Sequence, residues 1–371
     1  MEIQNATLAS LSVDGRGSYG IGASAVERSE DLYTYLRITD IRDDGTLNMA
    51  DLKSVDDEKA SQYLLKPNDI VFARTGASTG RNYFYDGTDG EFVYAGFLIK
   101  FSIDPNKVNP KYVKYYCMSD AYKGWIHSFN TGSTRGNINA QTLGGMPVPI
   151  PPRPQQDGIV DILSSLDEKI RKNTEVNENL AQQAQAIYAD IFITNADPTW
   201  PLGHLSDLIT VRYGKDHKKL DDGPYPVYGS GGVMRYVERP IYEKESVLIP
   251  RKGTLNNVMY VNEPFWSVDT MFFTEMKLPD VAKFVFHFVK SKDLASLNAG
   301  SAVPSMTTDI LNAMELRIPD AETLKRFESI VSPMYRAMQH NSEESKKLAA
   351  VRDTLLPRLM SGELDVSELD I

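Results

Sequence analysis

Apolar residues return in alternating steps of four and three along Ile159, Leu163, Leu166, Ile170, Asn173, Asn177, Leu180, Ala184, Ile187 and Ile191. The same spacing reappears 168 positions later in Phe327, Val331, Met334, Met338, Asn341, Ser345, Leu348, Arg352, Leu355 and Leu359. A period near 3.5 over more than four heptads predicts a coiled-coil seam in each stretch. Both seams break to polar residues at mid-length, Asn173/Asn177 in one and Asn341/Ser345 in the other. A polar residue in a seam costs stability but fixes register. Helices of equal length with matching polar centres predict that the two copies pair. The seam residues are expected to include Leu166, Ile170, Asn173, Asn177 and Leu180 on one helix, with Met334, Met338, Asn341, Leu348 and Leu355 on the other. The competing reading is an amphipathic helix packed on its own domain. Pro333, inside the second pattern, predicts a kink or a start delayed by about a turn.

Ahead of each helical stretch the pattern changes to short apolar runs bounded by turn residues. Residues 32–41, 68–76 and 92–103 read as strands, and 111–120 as a short helix. In the second half, 225–232, 246–253 and 264–276 read as strands, and 281–291 as the matching helix. Each set closes on Asn-x-Gly-Ser, at Asn130–Ser133 and Asn298–Ser301, followed by a polar loop, an apolar patch and Ile-Pro. Shifting the chain by 168 aligns 130–192 with 298–360 without a gap, with thirteen of 63 positions identical. The identity is modest; the unbroken register and the shared helix pattern make it an internal repeat. The Pro-rich run 147–156 and the stretch 195–201 read as connections.

One correspondence carries chemistry. IVFARTG (70–76) and VLIPRKG (247–253) both end an apolar strand in Arg-x-Gly. A guanidinium held at the end of a buried strand can meet guanine O6/N7 or a phosphate in bidentate fashion. The neighbouring loops offer small residues with Thr, Ser, Asn and Arg donors, suited to phosphate and base-edge contacts. Candidate contacts in the first half are Arg16, Tyr19, Arg37, Arg74, Thr75, Thr79, Arg81, Asn82, Thr134, Arg135 and Asn137. In the second half they are Lys215, His217, Lys218, Tyr228, Ser230, Arg251, Lys252, Asn256, Asn257, Ser301 and Ser305. The plainer alternatives are structural ion pairs for Arg74 and Arg251, solvated turns for the loops, and a solvated charge run for KDHKK (215–219).

Net charge of −10 argues against nucleic acid at first sight. Its distribution weakens that objection. Lys+Arg against Asp+Glu gives 15 and 18 in 1–150, 4 and 8 in 151–198, 14 and 14 in 199–318, and 7 and 10 in 319–371. The helical stretches are the densest in acid, and the second globular segment is neutral. A single cysteine, Cys117, excludes an internal disulfide and a thiolate zinc cluster, and reads as a buried thiol in a reducing cytoplasm. No basic, apolar leader opens the chain, and no apolar run approaches a membrane span. There is no phosphate loop, no Rossmann glycine spacing and no amino-methyltransferase motif, and the five histidines form no metal-ligand pattern. Two related modules with paired helices and no self-sufficient active site read as a binding device.

At this point the residues resemble the specificity subunit of type I restriction-modification systems, commonly called HsdS. Residues 162–192 look like that family's central helical region, preceded by PVPIPP. Residues 348–366, with LLPRLMSGE, look like its C-terminal helical region. Residues 17–41 and 200–232 look like the openings of its target recognition domains. The resemblance implies an α+β fold, with two mixed α/β recognition domains in pseudo-twofold arrangement, separated by two long antiparallel coiled-coil helices. It implies target recognition domains at 1–150 and 196–318, with helical spacer regions at 151–195 and 319–371. Each domain would read one half of a bipartite, asymmetric site in double-stranded DNA. The helices would set the spacing and dock two methyltransferase subunits. The chain itself would be non-catalytic, cytoplasmic and without a cofactor. S-adenosylmethionine belongs to the methyltransferase, and ATP and Mg to a motor-nuclease subunit where one is present. A modification-only complex fits equally well. The remaining alternatives are a fused methyltransferase-nuclease fragment and a coiled-coil scaffold carrying two non-DNA ligand domains. A helix of about 40 residues spans about 60 Å, against roughly 34–36 Å for one turn of B-DNA.

Overall fold

The structure, a computed structural model, describes residues 3–129, 137–297 and 305–366. It divides into two compact units, Met1–Lys172 with Glu344–Ile371, and Asn173–Glu343. Each unit therefore contains one globular segment and part of both long helices.

In the first unit the strands are β1 Gln4–Thr7, β2 Ser18–Tyr19, β3 Ala25–Val26, β4 Tyr33–Leu36, β5 Lys53–Val55, β6 Asp69–Ala73, β7 Asn82–Tyr85, β8 Phe92–Tyr94, β9 Leu98–Ser102 and β10 Pro147–Ile150. Its short helices are α1 Leu8–Leu11, α2 Pro110–Tyr116, α3 Asp120–His127 and α4 Ala140–Gly144. One antiparallel sheet has the order β2-β9-β6-β7, a second has the order β3-β5-β4-β8, and β1 pairs with β10. All five residues of β6 are buried. The period of two along a strand explains why. Ile70 and Phe72 enter the core shared with α2 and α3, while Val71 and Ala73 enter the core beneath the second sheet.

The second unit repeats this wiring. Its strands are β11 Leu202–His204, β12 Ile209–Tyr213, β13 Tyr225–Gly229, β14 Gly232–Val237, β15 Ser246–Pro250, β16 Met259–Val261, β17 Trp266–Ser267, β18 Met271–Met276 and β19 Glu315–Arg317. The sheets run β12-β18-β15-β16 and β14-β13-β17, and β11 pairs with β19. Strand β15 is the counterpart of β6: Val247 and Ile249 face one core, Leu248 the other. The strands expected at 92–103 and 264–276 are each two strands. The chain leaves one sheet after β8 or β17, turns within a few residues, and enters the other as β9 or β18. Apolar residues on both sides of the turn hid this break from a reading based on hydrophobicity alone.

The long helices are α5 Arg153–Ala189, extended by a wider turn over Asp190–Thr194, and α9 Ala321–Ser361. Between them in the chain come α6 Leu205–Leu208, α7 Ala282–Lys290 and α8 Thr308–Asn312. Every heptad position named above is buried or half-buried in both helices. The polar centre is paired: Asn173 and Asn177 donate to the carbonyls of Asn341 and Met338 at 3.3 and 3.0 Å. Asn341 donates in return to Asn177 Oδ1 at 2.9 Å. The two competing readings each describe part of the helices. Ile159 and Leu163 with Leu359 join the core of the first unit, and Ala184 with Phe327 and Val331 joins that of the second. Between those ends the helices face each other. Pro333 neither delays nor interrupts α9. Pro333 is exposed, and so is Ser329, the residue whose carbonyl loses its helical donor.

Among the described residues no helix is long and apolar enough to cross a membrane. Cys117 is buried, as expected of an inert thiol, and burial pushes its pKa up.

Candidate nucleic-acid interface

Strand β6 delivers Arg74 to its end, and the backbone there is clamped on both sides. Arg74 N donates to the Phe97 carbonyl at 3.1 Å, and Ile138 N donates to the Arg74 carbonyl at 2.9 Å. A bridge between Thr75 and Asn137 completes the clamp. The guanidinium lies over the Tyr19 ring, 5.0 Å from its centroid. One Nη donates to Asn137 Oδ1 at 3.4 Å, while Nε is buried without a partner. Tyr19 Oη in turn accepts from Ala140 N at 3.1 Å.

The second unit builds the same arrangement from different residues. Arg251 N donates to the Thr270 carbonyl at 2.8 Å, and Met306 N donates to the Arg251 carbonyl at 2.9 Å. Lys252 bridges Ser305. The Arg251 guanidinium lies 5.3 Å over the Tyr213 ring and donates to the Asp269 carbonyl at 3.2 Å. The clamping residues 137/305 and 138/306 are the 168-residue repeat seen in the sequence. Gly76 and Gly253 follow with φ of +74° and +83°, conformations that a side chain resists.

Tyr213 was not among the sequence candidates, although a signal for it existed. Both tyrosines precede a glycine, as Tyr19-Gly20 and Tyr213-Gly214. A Cβ at Gly20 would fall 2.2 Å from the Tyr94 carbonyl oxygen, and one at Gly214 2.0 Å from that of Val268. The glycine lets each tyrosine-bearing strand close against the neighbouring backbone, which sets the ring beneath its arginine.

The remaining candidates divide by what their polar groups already do. Arg37 pairs with Asp40 at 2.7 Å, and Arg81 with Asp43 at 2.6 Å, so both charges are met within the chain. The hydrogen bond to Asp40 also pushes the Arg37 pKa up. Asn82 is turned inward, donating to the Cys117 carbonyl at 3.1 Å. Thr79 Oγ1 donates to the Gly76 carbonyl at 2.8 Å. Asn256 donates to Asp293 at 3.0 Å, and Asn257 to the Ser230 carbonyl at 2.8 Å, which ties the β13–β14 turn to the Arg251 loop. Tyr228 donates to Glu263 at 3.0 Å; burial first and then Glu263 push its pKa up.

Arg16, Lys215, Lys218 and Lys252 are exposed, and His217 Nδ1 is buried without a partner. No ion pair forms with Arg74, Arg251, Lys215, Lys218 or Lys252 among the described residues. Thr134, Arg135 and Ser301 lie outside the described residues. Asn139 and Thr307, in the loops after the repeat motif, cap α4 and α8 by accepting from Thr142 N and Ile310 N. Among the described residues no group of three or more His, Cys, Asp or Glu could hold a metal ion.

Comparison with known proteins adds to this geometry. The family profile described as the type I restriction modification DNA specificity domain matches residues 27–182 and again 199–350. The chain is 21% identical to the type I restriction enzyme HindI specificity subunit of Haemophilus influenzae, over 81% of this chain and 87% of that protein. It is 20% identical to the MjaIX specificity subunit of Methanocaldococcus jannaschii, over 72% of each. The crystal structure of a type I restriction-modification system S subunit from M. genitalium has a similar fold, with a TM-score of 0.61 at 18% identity, covering 97% of this chain and 96% of that one.

Proposed function

The chain belongs to the family of type I restriction-modification specificity subunits, and on that premise we propose that its two globular segments, 1–150 and 196–318, each read one half of a bipartite DNA site. The observation that supports this most is the arginine stacked on tyrosine, built twice on equivalent strands with an unneutralised guanidinium each time. Each arginine enters the site already oriented, so little side-chain entropy is lost on binding. Guanidinium offers the fork that guanine or phosphate accepts. The surroundings differ, with Asn137 beside one arginine and the Asp269 carbonyl beside the other. Different neighbours suit different half-sites and hence an asymmetric sequence.

The spacer regions 151–195 and 319–371 set the distance between half-sites and dock two methyltransferase subunits. Helices of 37 and 41 residues reach about 55–60 Å at 1.5 Å per residue, enough for readers about one DNA turn or more apart. The chain supplies recognition without catalysis. S-adenosylmethionine and methyl transfer belong to the methyltransferase, and ATP and Mg to a motor-nuclease subunit where the complex has one. Competition binding tests this with the full chain, a methyltransferase subunit and duplexes carrying the methylated motif. Scrambling either half is expected to abolish specific binding. Binding that survives the loss of one half, or methyl transfer by the chain alone, would contradict the reading.

A further inference from the structure

The hairpin of β13 and β14 carries a side chain with no role so far. Its strands pair Tyr228 with Val233 and then Val227 with Arg235, so Met234 is the extra residue of a β-bulge. Bulges re-aim side chains, and here the bulge turns Met234 outward, 61% exposed, between Val233 at 46% and Tyr236 at 43%. The methionine is seated rather than loose. Gly229 leaves room for it, since a Cβ there would lie 2.5 Å from the Met234 sulfur. Strand β14 is the outer strand of its sheet; at the matching edge of the first unit, β3 covers β5.

The hairpin tip adjoins the second arginine site. Asn257 of the Arg251 loop donates to the Ser230 carbonyl, and a Cβ at Gly253 would lie 2.8 Å from Ser230 Oγ. Single exposed apolar residues need no explanation. Three stand on this one outer strand, and the hairpin tip is tied through Ser230 to the loop that carries Arg251 and Lys252, so the apolar strand has a basic rim at its tip. That rim complements phosphates, whereas a protein surface of ordinary composition would not call for it. A two-stranded ribbon fits the major groove, where the thymine 5-methyl is the apolar group on offer.

We propose that Met234 is a specificity-determining residue of the second domain, packing its thioether against a thymine methyl in the half-site that domain reads. This rests on the DNA-reading function above. The test uses the full chain assembled with its methyltransferase subunit and duplexes in which each thymine of that half-site is replaced in turn by uracil, which lacks only the methyl. One replacement is expected to weaken the unaltered complex about fourfold, the worth of one buried methyl. Met234→Ala should weaken the thymine duplex by the same factor and the uracil duplex no further, while Met234→Leu restores discrimination. Independent losses that multiply, an equal loss on non-specific DNA, no loss at all, or a half-site without thymine would each overturn the proposal. So would a Met234→Ala chain that binds DNA normally but fails to retain its methyltransferase, which would make the tip a protein contact. Failure of the unaltered complex to prefer any sequence would contradict the DNA-reading function itself.

Discussion

A guanidinium over a tyrosine ring is held in place without losing its charge, and the two copies of that pair invite direct perturbation. Arg74→Ala and Arg251→Ala are each expected to cost about 1–3 kcal/mol on the cognate site, with relaxed specificity in one half only. Equal weakening on every sequence in a binding titration would reassign them to phosphate. Tyr213→Leu removes the ring while keeping bulk, and should weaken cognate binding by about 0.5–1 kcal/mol, whereas Tyr213→Phe should bind normally. His287 offers a test by pH. It is buried between Gln185 and Tyr335, stacked on Tyr188, and burial, reinforced by Lys290, pushes its pKa down to about 4 from 6.5. The unfolded chain therefore binds the extra proton first as pH falls. Stability from this group is complete above pH 6.5 and falls by up to about 3 kcal/mol by pH 4. Thermal melts across that window should show a shallower pH dependence for His287→Gln; an unchanged slope would place the titration elsewhere.

At the scale of elements, the heptad pattern located both helices and their polar centre because a seam repeats one side-chain property at fixed steps. The asparagines satisfy one another across that centre. Asn341→Leu should therefore cost about 1–3 kcal/mol by leaving the Asn177 side-chain oxygen without its donor. Replacing Asn173, Asn177 and Asn341 together with leucine should recover or exceed the original stability while loosening register, read by denaturation and by cysteine cross-linking along the seam. The first unit is braced differently. Asp167 of α5 accepts from Lys114 and Tyr115 of α2 and from Arg352 of α9. Burial opposes its charge, yet Lys114 and Arg352 hold its pKa below the usual carboxylate range. Arg74 and Arg251 were legible because a polar residue ending an apolar run stands out. Tyr213 showed only as the Tyr-Gly pair it shares with Tyr19, and Met234 not at all. One depends on a glycine against a carbonyl, the other on a one-residue register shift, and neither changes the hydrophobic pattern. Arg37, Arg81 and Asn82 show the converse: their residue types suit DNA, but only coordinates reveal that Asp40, Asp43 and the Cys117 carbonyl already engage them.

For the whole molecule the acidic helices matter. Net charges of −4 over 151–198 and −3 over 319–371 do not draw the chain to DNA. The isolated chain should therefore bind its target weakly and with a shallow salt slope, and gain both affinity and slope when methyltransferase subunits assemble on it. The most direct test of two independent readers on one chain is to sequence the methylated bases in cells carrying this chain with its methyltransferase, and again after residues 196–318 are exchanged for those of another specificity subunit. The expected result is an interrupted, asymmetric motif in which the exchange rewrites one half and leaves the other half intact. A continuous or palindromic motif, or an exchange that alters both halves, would contradict it.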